Sequence, residues 1–192
     1  EVLSNAAAII AESEVLQLTN IKNINIGLKT YFKIIEGKTA ELFSAACETG
    51  AMIATSNLNQ IKSFKSYGKS IGICFQLIDD YLDYKGDKKI MGKLIGNDFF
   101  NSKLTYPIII TLNEGTYSEK EKIENLFKKK QKTQNDLKLI LEILDNNDAL
   151  KKTKIEAIKW SKKAKEEIQK IPQNTITTLL QELADSIISR SS

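Results

Sequence analysis

From Ile61 to Tyr84 apolar residues return every three or four positions, through Phe64, Ile71, Phe75, Ile78 and Leu82, a spacing that puts them on one face of an α-helix. Set into this helix are three aspartates within five residues, in the run Phe75-Gln76-Leu77-Ile78-Asp79-Asp80-Tyr81-Leu82-Asp83. Asp79 and Asp83 stand one turn apart, about 5–6 Å between Cβ atoms, and Asp80 and Asp83 are neighbours at i,i+3. Carboxylates crowded on a buried helix repel one another and are costly unless a cation neutralises them. A hard divalent ion such as Mg²⁺ does so, because it takes oxygen ligands and bridges carboxylates to a substrate's phosphates. The spacing alone admits a second reading, an exposed acidic helix end paired with lysines such as Lys85.

The rest of the chain reads as helix too. With 9 glycines and 2 prolines in 192 residues, breakers are too few for a loop-rich β-protein or a disordered chain. Periodicity predicts a helix over Leu3–Leu18 with Leu3, Ala7, Ile10, Ala11, Val15 and Leu18 on one stripe, then a polar loop over Thr19–Asn25. A long helix follows from about Leu28 to Thr55, burying Tyr31, Ile34, Ile35, Leu42, Ala45, Ala46, Thr49 and Ile53. Ser56–Gln60 reads as a connection, and Gly86–Ser102 as a glycine-punctuated loop of the kind that faces a ligand. Pro107 opens an apolar helix ending near Asn113. Ser118 with Glu121 reads as a capping box for a helix running to about Lys130. Asp136–Leu144, Asp148–Ile171 and Thr175–Ser189 complete an all-α helix bundle in one domain spanning the chain.

The net charge of +4 comes from lysine, the one arginine being Arg190, which argues against a nucleic-acid reader. Cys47 and Cys74 form no CxxC pair and there is no histidine, so a zinc site is excluded and both are expected as reduced, buried thiols. No apolar run reaches the roughly 18 residues of a membrane span. These features predict a cytoplasmic protein, with peripheral contact to a membrane left open, and no transmembrane segment. The chain opens at Glu1 without an initiator Met, and the expectation is that a preceding segment is missing.

The aspartate helix is followed by Gly92-Lys93-Leu94-Ile95-Gly96-Asn97-Asp98 and then Lys103-Leu104-Thr105-Tyr106-Pro107. Carboxylates for a metal are thus joined to ammonium groups suited to phosphate. Taken in order, these stretches resemble the second aspartate-rich region of the trans-polyprenyl diphosphate synthases, F-Q-x-x-D-D-x-x-D, G-K-x-x-G-N-D and G-K-x-T-x-P. Two earlier segments are similar to the same family, Ile10-Ala11-Glu12-Ser13-Glu14-Val15-Leu16-Gln17-Leu18 and Gly37-Lys38-Thr39-Ala40-Glu41-Leu42-Phe43. The first looks most like bacterial enzymes of the octaprenyl or decaprenyl kind.

The resemblance implies a C-terminal portion, residues 1–192, of one polyprenyl synthase domain: an isoprenoid synthase-type bundle whose N-terminal helices are missing. It implies a Mg²⁺-dependent prenyltransferase joining isopentenyl diphosphate to an allylic diphosphate to make a long-chain product. Asp79, Asp80 and Asp83 would hold the metal. Lys38, Thr39, Gln76, Lys93 and Lys103 would contact the allylic diphosphate, with Lys38, Asp79 and Lys93 central to the chemistry. Taken singly, Lys38 and Thr39 also read as a polar helix step, Gln76 as a buried amide, and Lys93 and Lys103 as solvated loop charges.

Departures from the family pattern are Asn101-Ser102 in place of Glu-Gly, Phe99 in place of Leu, and Ser13 in place of Gly. The family's first D-D-x-x-D motif has no counterpart, Asp79–Asp83 being the one such cluster in the sequence. The chain alone is therefore expected to be inactive, with an exposed apolar face and a homodimer or a heteromer with a synthase chain as its assembly. The alternative is a catalytically silent, regulatory partner subunit of such a synthase.

Overall fold

The computed structural model describes residues 1–21, 23–85 and 95–190. Among them every regular element is helical: α1 (Val2–Thr19), α2 (Leu28–Ile35), a π-helical turn (Glu36–Ala40), α3 (Glu41–Ala54), α4 (Leu58–Lys85), α5 (Asn97–Phe100), α6 (Tyr106–Glu114), α7 (Tyr117–Lys128), α8 (Gln134–Asn146), α9 (Ala149–Gln169) and α10 (Thr175–Ser189). The all-α bundle is therefore observed. No helix among the described residues is long and apolar enough to cross a membrane.

The bundle is organised around α4, whose broadest contacts are with α9 and α3. Ile71, Ile73, Cys74, Leu77, Ile78, Tyr81 and Leu82 are all buried, so this part of α4 is covered nearly all round, as a core helix must be. Small residues let its neighbours come close. On α9 the buried face is Thr153, Ala157, Ser161 and Ala164. On α4 itself, a Cβ at Gly68 would stand 2.4 Å from the Phe43 carbonyl oxygen, and one at Gly72 2.4 Å from Ala40 Cα. Gly68, Gly72, Gln76 and Asp80 recur every fourth residue and so share one face. That face lies against the chain from Tyr31 to Phe43, which sets the register of the site.

Four local expectations change. The predicted Leu28–Thr55 helix is broken by the π-helical turn, a feature with no strong residue signature that frequently marks functional segments. α4 begins at Leu58, inside the expected Ser56–Gln60 connection, because Asn57 Oδ1 accepts from the Asn59 and Gln60 amides. The expected Gly86–Ser102 loop contains α5, and residues 86–94 of it lie outside the described residues. The capping box of α7 is Thr116 with Glu119, not Ser118 with Glu121. Both fit S/T-x-x-E, but Glu119 also accepts from Asn147 Nδ2 at 3.0 Å, a tertiary contact that favours the earlier start.

The largest difference is the facing of α1. Its buried residues are Ala6 and Ser13, whereas Leu3, Ala7, Ala11, Val15 and Leu18 of the predicted stripe are exposed. Close packing explains it: a Cβ at Gly37 would lie 1.8 Å from Ser13 Oγ, so α1 meets the π-helical turn through small residues and turns its larger ones outward. On α3, Leu42, Ala46 and Ile53 are likewise exposed rather than buried and Thr49 is half-buried, while Tyr31, Ile34, Ile35 and Ala45 are buried as expected. Cys74 is buried and Cys47 half-buried, and both are free thiols. Burial pushes the Cys47 thiol up and the Cys74 thiol to about 12, which leaves them protonated.

Candidate functional site

The shared face of α4 ends in a chain of hydrogen bonds. Thr39 Oγ1, at the end of the π-helical turn, donates to Gln76 Oε1 at 2.9 Å, and Gln76 Nε2 donates to Asp80 Oδ1 at 3.0 Å. The other oxygen of Asp80 accepts from Tyr31 Oη at 2.7 Å and from the Tyr106 amide at 2.9 Å. Asp80 is fully buried. Its carboxyl is pushed up by burial, against which the Lys103 charge, the Tyr106 amide and the Tyr31 hydroxyl pull it down. Such an arrangement fixes Asp80 as the junction of α2, α4 and the start of α6, with every carboxylate oxygen partnered.

One turn on, Asp83 Oδ2 accepts from the Asp98 amide at 3.0 Å and the Asp83 carbonyl from the Gly96 amide at 2.7 Å, so α4 receives α5 directly. Burial and the neighbouring Asp98 charge raise the Asp83 carboxyl to about 6. The available counter-charge is Lys103, whose Nζ is 2.9 Å from Asp98 Oδ2. Burial works against the Lys103 ammonium, but Asp80 and Asp98 outweigh it and raise its pKa.

Lys38, Thr39, Gln76, Asp80 and Lys103 line one cleft together with Gln17 and Leu104. Of the expected substrate residues, the structure thus brings four into one concave surface. Lys38 extends back to α1, where its Nζ is 2.7 Å from Glu14 Oε2 and 2.7 Å from Gln17 Oε1. Asp79 and Asp83 are half-buried on the next turns of α4. Lys93 lies outside the described residues. Arg190 is stacked over the Phe75 ring at 5.1 Å.

Among the described residues no three acidic or thiol side chains form a closed metal cage. Mg²⁺ does not require one, since it is usually held by one or two carboxylates together with water and substrate phosphates. Asp79 suits such an open site: it is half-buried and, among the described residues, has no hydrogen-bond or ion-pair partner. Asp83 adds a second carboxylate short of positive charge, whereas Asp80 is committed to the interior. The residues present therefore fit a divalent cation on Asp79 and Asp83.

Sequence reasoning assigned no role to Tyr31, Tyr106, Asp98, Glu14 or Gln17. Asp98 could have been found from its place in the Gly96-Asn97-Asp98 motif. Nothing in the spacing points from Tyr31 to Asp80.

Comparison with known proteins agrees with this fold. The family model described as Polyprenyl synthetase matches residues 1–144. Octaprenyl diphosphate synthase of Escherichia coli (strain K12) is 33% identical over 190 residues, 99% of this chain and 58% of the relative. A decaprenyl diphosphate synthase from Rhodobacter capsulatus superposes with a TM-score of 0.93 at 36% identity, over 100% of this chain and 59% of that one. A polyprenyl synthase from Caulobacter crescentus CB15, solved with calcium and isoprenyl diphosphate, gives 0.94 at 36% identity, over 100% and 58%. The chain thus spans somewhat over half the length of these relatives. A helical bundle built around one aspartate-rich helix, and a sequence that follows these synthases along its whole length, place this chain in the polyprenyl synthetase family.

Proposed function

We propose that this chain supplies the diphosphate-handling half of a long-chain prenyltransferase site. In the reaction, the C–O bond of an allylic diphosphate breaks, with the electron pair leaving on diphosphate. The double bond of isopentenyl diphosphate attacks the allylic carbon, and proton loss restores a double bond in a product one isoprene unit longer. What must be stabilised is charge developing on the departing diphosphate, which preorganised cations do best in a dry cleft.

The observation that carries this reading is the contrast, on one helix, between Asp79, which among the described residues has no hydrogen-bond or ion-pair partner, and a fully bonded Asp80, beside a cleft shared by Lys38, Thr39, Gln76 and Lys103. Lys38 and Lys103 would bind phosphate oxygens in exchange for their present carboxylate partners. Lys93 joins them by family resemblance. Thr39 and Gln76 would orient the same group, and Asp80 would hold Gln76, α2 and α6 in register. Mg²⁺ bound by Asp79, with Asp83 beside it, would supply further positive charge to the leaving group. The related Caulobacter protein was solved with a divalent cation and an isoprenyl diphosphate, which favours the same ligand class here.

The family's first D-D-x-x-D motif has no counterpart in this sequence, and on this reading another segment would complete the site. The test is incorporation of labelled isopentenyl diphosphate into hydrophobic product, with farnesyl diphosphate and Mg²⁺, by this chain alone and mixed with a separately expressed N-terminal half of a relative. Activity in the mixture that Asp79→Ala abolishes supports the reading. Activity of the chain alone refutes the need for a second half-site. Silence in both, with a stable complex to an active synthase, would favour a regulatory partner subunit.

A further inference from the structure

The turn that presents Lys103 contains a residue in an unfavourable backbone conformation. α5 ends in a Schellman arrangement: the Lys103 amide donates to the Asp98 carbonyl at 2.9 Å and the Ser102 amide to the Phe99 carbonyl at 3.0 Å. In this motif the residue after the C-cap takes a left-handed conformation and is usually glycine. Here it is Ser102, at φ 58°, where a Cβ meets the following carbonyl. Ser102 is also buried, at 3% exposure, so its hydroxyl needs a partner.

That partner is Lys132, thirty residues on in the chain, whose Nζ donates to Ser102 Oγ. The ammonium lies 5.4 Å from the Phe99 ring centre and 5.6 Å from that of Phe127, distances at which a cation is attracted by aromatic faces. Its backbone is held on both sides. Lys129 pairs with Asp136 at 2.6 Å, and Thr133 caps α8. Lys132 thus reaches the turn from the α7–α8 connection and ties it to the aromatic residues beneath.

We propose that Lys132 is a positioning residue for Lys103: its bond to Ser102 holds the left-handed turn that a glycine would hold unaided, and so fixes the ammonium beside Asp98 and the cleft. The assignment of a phosphate-binding role to Lys103 rests on the function proposed above, while the hold on the turn is independent of it.

The test is a cycle of Lys132→Met, Ser102→Gly and the double variant, read by amide hydrogen exchange at Ser102 and Lys103 and by titration with inorganic pyrophosphate and Mg²⁺. Lys132→Met should speed exchange at these two amides about tenfold, the scale of losing one charged hydrogen bond, with α9 unchanged. Lys132→Arg, which keeps a donor, should stay within about twofold of the parent. Adding Ser102→Gly to Lys132→Met should restore slow exchange and recover the pyrophosphate affinity that Lys132→Met loses. Unchanged exchange in Lys132→Met, or a double variant as fast as the single one, overturns the proposal. A parent chain that binds no pyrophosphate counts against the diphosphate site, and the exchange cycle still decides whether Lys132 holds the turn.

Discussion

Tyr31 and Asp80, 49 residues apart, meet with Oη 2.7 Å from Oδ2 in a contact closed to solvent. It joins α2 to α4 below the cleft, and it is one of three donors that leave no Asp80 oxygen bare. Removing one donor from a buried carboxylate costs about 1.5–3 kcal/mol. Tyr31→Phe should therefore fold with its unfolding free energy lowered by that amount, read as an earlier urea midpoint at unchanged m. Diphosphate binding should weaken with it, because Gln76 and Thr39 lose their fixed end. A midpoint equal to the parent's would mean that water replaces the hydroxyl and that Asp80 is not the junction described.

Gly72 and Gly50 form a matched pair of helical glycines. A Cβ at Gly72 meets the Ala40 backbone at 2.4 Å, and one at Gly50 meets nothing within 4 Å. Gly72→Ala should destabilise by roughly 1–3 kcal/mol through overpacking and move Gln76 off Thr39. Gly50→Ala should stabilise by about 0.5–1 kcal/mol, the helix-propensity difference. Thermal denaturation of the two variants compares them directly. Equal responses would show that the α4 contact yields and that the glycine face does not set the register.

Helix identity was legible for every element but the short α5 and the π-helical turn, because a 3.6-residue period needs no knowledge of neighbours. The side each helix buries was not, and α1 shows why. Its apolar stripe gave the right element, but the buried residues are Ala6 and Ser13, with Ser13 packed against Gly37, a small-residue fit that weighs little in a hydropathy pattern. The aspartate cluster was legible as a group, yet spacing could not separate Asp79, which is open, from Asp80, which is locked by Tyr31 and Tyr106. That division depends on residues distant in sequence. The π-helical turn has no composition of its own to read.

The outward apolar side chains are the basis of a further expectation. Val15 is 60%, Leu18 56% and Leu42 59% exposed, and a contiguous exposed apolar patch marks an interaction site. Replacing Leu18 and Leu42 by Gln should change folding stability by less than about 0.5 kcal/mol each, as for surface positions. The same change should reduce self-association or capture by a synthase chain in sedimentation velocity. If parent and variant sediment alike as monomers and neither binds a synthase, these faces carry no partner.

The Asp83–Asp98 pair makes stability depend on pH in a direction opposite to that of most paired carboxylates. Burial and the Asp98 charge raise Asp83 to about 6 from the ordinary 3.8, so between those values the folded chain holds a proton that the unfolded chain has released. Stability then falls as pH rises through this window, since the native state binds more protons. Asp136 acts in the opposite sense at lower pH: Lys129 and the Thr133 amide hold it at about 2, and its contribution, full above the ordinary 3.8, is lost as pH falls from there through about 2. Asp83→Asn, which cannot ionise, isolates the first effect. Its stability relative to the parent should rise between pH 4.5 and 7, and Mg²⁺ should narrow the gap at pH 7 by stabilising the parent, which keeps both carboxylates, more than the variant. Parallel pH profiles for parent and variant would show that Asp83 titrates normally, and a Mg²⁺ effect of equal size in both would place the cation elsewhere.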